Sequence, residues 1–131
     1  MRRILVVEDS ASTRSFIRAT LESSTVLGRC DIVEAASGFD ALRLLPRGPY
    51  DLVITDINMP DINGLELIQF IRKSDRHRST ALIIVSTQSS QKDRERGLQL
   101  GADDYVAKPL NPDLLLSAVD RLLANRPVAS G

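Results

Sequence analysis

The sequence predicts an α/β fold: one doubly wound parallel sheet with helices packed on both faces. Three observations predict it. Strand-like and helix-like patterns alternate from end to end of the 131 residues, which is how βαβ units are written. Several strand-length runs are apolar throughout, as strands covered on both faces must be. Capping and turn residues fall at the joints between the two kinds of pattern.

Taken in order, the first strand spans 4–8 and carries Ile4-Leu5-Val6-Val7 before Glu8-Asp9. A helix over 12–22 follows, with Phe16, Ile17, Ala19, Thr20 and Leu21 expected on its inward face. The second strand is 31–35, and Cys30 beside it reads as a small core hydrophobe. Ser37-Gly38 introduces a helix over 39–45, and the third strand, 52–56, ends on Asp56. Asn63-Gly64 opens the next helix, 65–72, whose Leu65, Leu67, Ile68 and Ile71 form an apolar stripe. The charged loop 74–80 is expected to be mobile, with His77 solvated.

The fourth strand, 82–85, runs into Ser86-Thr87, and a helix over 91–100 ends before Gly101, a favourable left-handed cap. That helix is highly charged and contains Gly97, which costs roughly 1 kcal/mol against alanine in a helix interior. Only Leu98 and Leu100 offer it core anchors, so loose packing is expected. The fifth strand, 104–107, meets Lys108-Pro109, and Asn111-Pro112 caps and starts the last helix, 112–124. Leu114-Leu115-Leu116 spans about 200° of that helix, more than one buried stripe needs. Most of it reads as core, and a leucine left outside beside Tyr105 would suit a partner.

One domain is expected over 1–125, with a short polar tail at 126–131 and no second domain after it. Seventeen basic and seventeen acidic residues cancel, so charge gives no case for binding nucleic acid or an anionic membrane. No segment has the apolar length of a membrane span or signal peptide. The lone cysteine excludes an internal disulfide. Together these predict a cytoplasmic protein.

The chemically loaded residues sit at strand ends. In a parallel sheet those ends share one edge, where ligands bind. Glu8, Asp9, Asp56, Ser86 and Lys108 would therefore meet in one pocket. Two like charges about 4 Å apart repel by roughly 4 kcal/mol at an effective dielectric near 20, so three carboxylates need a proton or a cation. An all-oxygen set with few protein ligands suits Mg²⁺, which keeps waters and shares phosphate oxygens. Asp56, already ionised, can act as a nucleophile without a general base. Mg²⁺ and the Lys108 ammonium would neutralise charge on a transferring phosphoryl group, and the Ser86 hydroxyl would bond one of its oxygens. The plainer reading of Glu8 or Asp9, a cap on the following helix, leaves the lysine and serine unexplained.

Four marks run in order along the chain: Val7-Glu8-Asp9-Ser10, Asp56-Ile57-Asn58-Met59-Pro60 with Gly64, Val85-Ser86, and Tyr105-Val106-Ala107-Lys108-Pro109. With them, nearly the whole chain resembles the receiver domain of two-component response regulators. Asp9-Ser10 with Thr13-Arg14 and Ile17 is closest to the CheY-like, chemotaxis-type or stand-alone branch. The resemblance implies a flavodoxin-like (βα)5 sheet in strand order 2-1-3-4-5. It implies that Asp56 is the phosphoacceptor, and that Asp9, Asp56 and the Asn58 backbone carbonyl bind Mg²⁺, with Glu8 acting through water. Lys108 would contact the phosphoryl group, its peptide to Pro109 being cis. Ser86 and Tyr105 would form a coupled switch that changes the surface of the fourth helix, fifth strand and fifth helix. The implied partners are a sensor histidine kinase and a downstream target protein, with the chemotaxis or motility machinery one candidate; a homodimer is left open. Enzymatic activity would extend only to the domain's own aspartyl phosphorylation and dephosphorylation.

Thr87 stands where the family mostly carries alanine or glycine, and Gln88 lies beyond it where substituents influence attacking water. Both are expected to control access to Asp56 and slow phosphoryl exchange. The connection 22–29 is also a few residues longer than in the chemotaxis receiver. A haloacid-dehalogenase-type phosphatase would need an acid where Asn58 stands. A nucleotide or flavin binder would need a glycine-rich loop, and Glu8-Asp9 would repel its phosphate. A degenerate receiver serving only as an interaction module would not need the complete acid, serine and lysine set.

Overall fold

The computed structural model describes residues 1–87 and 91–129. Among them, β1 (Arg2–Val7), β2 (Cys30–Ala35), β3 (Leu52–Asp56), β4 (Ala81–Thr87) and β5 (Asp104–Lys108) form one parallel sheet in the order β2-β1-β3-β4-β5. The helices are α1 (Ala11–Glu22), α2 (Gly38–Leu44), α3 (Gly64–Lys73), α4 (Gln91–Leu100) and α5 (Pro112–Leu123), with a 3-10 turn over Leu45–Arg47. This is the expected flavodoxin-like arrangement.

Strand alternation divides the core in two. Ile4, Val6, Ile54, Ile83 and Val85 face α1 and α5, meeting Ile17, Leu21, Leu115 and Val119. Leu5, Val7, Val53, Leu82 and Ile84 face the other side, meeting Ala41, Leu44, Leu67, Ile68 and Ile71. Burying each large apolar side chain contributes about 1.5–3 kcal/mol, so the central strands β1, β3 and β4 form a stiff platform. Side-chain caps set four helix starts: Ser10 for α1, Ser37 for α2, Asn63 for α3 and Asn111 for α5.

Several local expectations change. On α1 only Ile17, Thr20 and Leu21 are buried; Phe16 and Ala19 are exposed. Phe16 instead lines a cleft with Pro109 and Leu110. Leu98 is 40% exposed, so it does not anchor α4. Leu100 packs against the second core cluster, and Gly97 is the helix's one buried residue. A Cβ on Gly97 would run into Ile84 Cδ1, so the glycine is the contact that lets α4 approach the sheet. Leu115 enters the core while Leu114 is 64% exposed. Cys30 is half-buried against the first cluster.

The loop at 74–80 is tied down, and His77 is buried at 3% exposure rather than solvated. Arg72 donates to the carbonyls of Arg78 and Thr80, and Arg76 donates to those of Pro46 and Gly48. These bonds hold the loop against the rest of the fold, and the imidazole lies beside Tyr50, ring centres 6.3 Å apart. Burial pushes the His77 pKa down. The tail is also fastened: Arg2 donates to the carbonyls of Leu123, Arg126 and Pro127, and the Ala129 amide donates to Asp51 Oδ1.

Candidate functional site

The carboxyl ends of four strands converge on one edge. Glu8 and Asp9 follow β1, Asp56 ends β3, Ser86 and Thr87 close β4, and Lys108 ends β5. Register aligns them: Asp56 stands opposite Val85, and Thr87 opposite Lys108. One oxygen each from Glu8, Asp9 and Asp56 lies within 4.8 Å of the other two. Glu8 and Asp56 are buried while Asp9 is exposed at the mouth.

Asp56 is oriented from both sides. Its Oδ1 accepts from the Ile57 amide at 2.8 Å, and the Asn58 amide lies 3.4 Å away. Its Oδ2 accepts from Lys108 Nζ at 3.2 Å. The tight turn after β3 depends on Gly64, whose amide donates to the Ile57 carbonyl at 2.8 Å and whose Cβ would run into the Asp56 carbonyl oxygen.

Lys108 Nζ also donates to Glu8 Oε1 at 2.9 Å, while Glu8 Oε2 finds no partner among the described residues. Burial is the main force pushing the Glu8 pKa up to about 7. A hydrogen bond to Asp56, which only protonated Glu8 can donate, adds to it, and Lys108 opposes it. For Lys108, burial disfavours the charge, yet its bonds and attraction to Glu8 and Asp56 hold its pKa above the usual value. Three oxygen ligands, one of them orphaned, suit a hard divalent cation. The donor chemistry and the orphan both fit Mg²⁺.

Ser86 is fully buried and its Oγ has no partner among the described residues. Tyr105 sits beside it: the phenol donates to the Thr87 carbonyl at 2.9 Å and lies 3.2 Å from that of Ser86. The guanidinium of Arg94, from α4, stacks over the Tyr105 ring at 4.5 Å. Thr87 is exposed at the rim, Asn58 is exposed on the β3–α3 loop, and Gln88 lies outside the described residues. The Lys108-Pro109 peptide is cis, as the resemblance implied.

Three contributors had no assigned role from sequence. Arg14 donates to the Glu8 carbonyl at 2.6 Å and to Glu34 Oε1 on β2 at 3.2 Å, fixing the backbone that carries the acid pair. Arg18 joins the same carboxylate at 2.7 Å. The i,i+4 arginine pair with an acid on the edge strand was the available signal. Arg94 had none, because its partner is set by tertiary packing.

Residues 4–120 match the family model of the response regulator receiver domain. A chemotaxis protein CheY homolog of Campylobacter jejuni subsp. jejuni is 34% identical over 122 residues, covering 92% of this chain and 92% of that one. The chemotaxis response regulator CheY4 of Vibrio cholerae has a TM-score of 0.84 at 30% identity, covering 94% of this chain and 99% of that chain. The receiver domain of sensor histidine kinase PA1611 from Pseudomonas aeruginosa PAO1, with a magnesium ion coordinated in its active-site cleft, has a TM-score of 0.83 at 30% identity. That match covers 95% of this chain and 98% of the other.

Proposed function

The chain belongs to the response regulator receiver family, as a CheY-like receiver of two-component signalling, and from that premise we propose that Asp56 accepts a phosphoryl group in a Mg²⁺-dependent reaction. The observation that carries the reading is Lys108 bridging Glu8 and Asp56 at the common strand edge. The orphaned oxygens of Glu8 and Ser86 support it, each a polar atom held ready for a partner.

With Oδ1 tied to the Ile57 amide, Oδ2 is the attacking oxygen. It forms the new O–P bond as the P–N bond of a partner kinase's phosphohistidine breaks, and the imidazole keeps the electron pair. Lys108 turns from the carboxylates to a phosphoryl oxygen, and Ser86 donates its hydroxyl to another. Mg²⁺, held by Asp9, Asp56 and the Asn58 carbonyl with Glu8 through water, would supply further charge neutralisation. Water later returns Asp56 to its carboxylate and releases inorganic phosphate, passing Thr87 at the rim. The only catalysis is thus of the domain's own modification.

The output we infer is a change in the α4–β5–α5 surface. Tyr105 is tethered to the Ser86 and Thr87 carbonyls, so movement of Ser86 toward a phosphoryl oxygen alters its anchor. Exposed Leu114 lines a 220 Å³ groove with Tyr105 and Arg121, a place for a target's apolar side chain. A ligand shifts such an equilibrium only by binding the two states differently. A histidine kinase upstream and a motility-type target downstream complete the reading, in the cytoplasm; among the described residues no helix is long and apolar enough to cross a membrane. Incubation with acetyl phosphate and Mg²⁺, followed by intact mass measurement, tests it. Phosphoryl uptake that is absent in Asp56→Asn is expected; no uptake from this donor or any kinase overturns it.

A further inference from the structure

The β3–α3 loop carries Asn58 and, through the Ile57 and Asn58 amides, orients Asp56. Its far side is held by one exposed carboxylate. Asp61 Oδ1 accepts from the Gly38 amide at 3.1 Å, and Oδ2 from the Phe39 amide at 2.8 Å. Both amides belong to the first turn of α2, where backbone donors have no partner within the helix. The helix's own cap, Ser37 Oγ, serves the Asp40 amide at 3.1 Å and leaves these two free for Asp61. Both Asp61 oxygens are therefore committed to one task.

Ile62 completes the clasp. It packs so closely on Gly38 that a Cβ there would lie 2.6 Å from Ile62 Cβ. Together with the Gly64-to-Ile57 bond, the loop is fixed at its end and at its middle, with Asn58 between. The hydrogen bond from Phe39, first among the backbone bonds, pulls the Asp61 pKa down to about 2, so the clasp stays charged at ordinary pH.

We propose that Asp61 is a positioning residue for Mg²⁺ binding and phosphoryl transfer, holding the Asn58-bearing loop to α2. This rests on the receiver reading above. Groups that orient metal ligands without touching the metal typically cost 10–100-fold in affinity when removed. Asp61 touches no reacting atom and acts only through the loop backbone. The plainer alternative is that it merely caps α2.

Mg²⁺ titration calorimetry, acetyl phosphate uptake at limiting and saturating Mg²⁺, and urea unfolding on wild type, Asp61→Ala, Asp61→Asn and Ser37→Ala separate the two. Asp61→Ala is expected to bind Mg²⁺ about tenfold more weakly and to take up phosphoryl slowly at limiting Mg²⁺, with saturating Mg²⁺ recovering the rate. Asp61→Asn, which keeps an accepting oxygen, falls between and carries the test if the alanine variant fails to fold. Ser37→Ala loses its α2 cap and unfolds at lower urea, yet keeps wild-type Mg²⁺ affinity. Wild-type affinity in both Asp61 variants, or an equal loss in Ser37→Ala, overturns the proposal. A wild-type protein that binds no Mg²⁺ and takes up no phosphoryl group defeats the receiver chemistry instead.

Discussion

Glu8 and Asp56 share one ammonium, Lys108, and the buried Glu8 carboxyl links the stability of the metal-free protein to pH. Burial raises the Glu8 pKa from 4.5 to about 7 in the folded state. A raised folded pKa contributes stability that is fully present below the unfolded value and is lost as pH rises through the folded one. Without divalent cations, this group should therefore remove on the order of 3 kcal/mol between about pH 4.5 and 7. Urea unfolding at pH 5 and pH 8 in wild type and Glu8→Gln reads it: the variant should lack this part of the decline. Identical slopes would show that Glu8 does not carry the proton. Thr87, at the rim, acts on kinetics. Thr87→Ala should speed both phosphoryl uptake from acetyl phosphate and its loss by up to about tenfold, roughly 1.4 kcal/mol of barrier. Unchanged rates by phosphate release and mass would remove Thr87 from access control.

At the scale of elements, α4 reverses a rule of thumb. Helix propensity alone says that Gly97→Ala stabilises by roughly 1 kcal/mol. The structure opposes this, because the added methyl would run into Ile84 Cδ1, and either that fully buried side chain or the helix would have to shift. Overpacking of this sort costs typically 1–3 kcal/mol, so the urea midpoint of Gly97→Ala should fall; a rise would contradict the packing. The same helix shows where sequence reading stops. Strand periodicity is a local property, so β1, β3 and β4 were readable as buried, and the strand-end rule placed Glu8, Asp56, Ser86 and Lys108 on one edge. Helix anchors depend on what lies across the interface. That is why the sequence pattern alone makes Leu98 an anchor and Gly97 a liability. His77 was misread likewise: the bonds that bury it run from Arg72 and Arg76 to backbone carbonyls, which no side-chain pattern records. Asp61 acts on backbone amides too, and it escapes notice for the same reason.

Across the whole molecule, the described residues join the acid pocket to the α4–β5–α5 face at the end of β4. Ser86 and Thr87 offer carbonyls to the Tyr105 hydroxyl, and Arg94 covers the ring from α4. The opposite edge of the sheet is bound differently, with Arg2 and Asp51 stitching the chain's last described residues to β1. A stiff centre, one fastened edge and one sparsely held helix make a reasonable frame for a switch that moves on one side only. The proposed chemistry begins at a single carboxylate among three. Borohydride reduction after treatment with acetyl phosphate and Mg²⁺ addresses that directly, because an aspartyl phosphate is reduced to homoserine while a free carboxylate is not. Peptide mass mapping should find homoserine at position 56, with Glu8 and Asp9 intact. Reduction at either of those residues, or none at Asp56 in protein that has gained a phosphoryl group, would contradict the assignment.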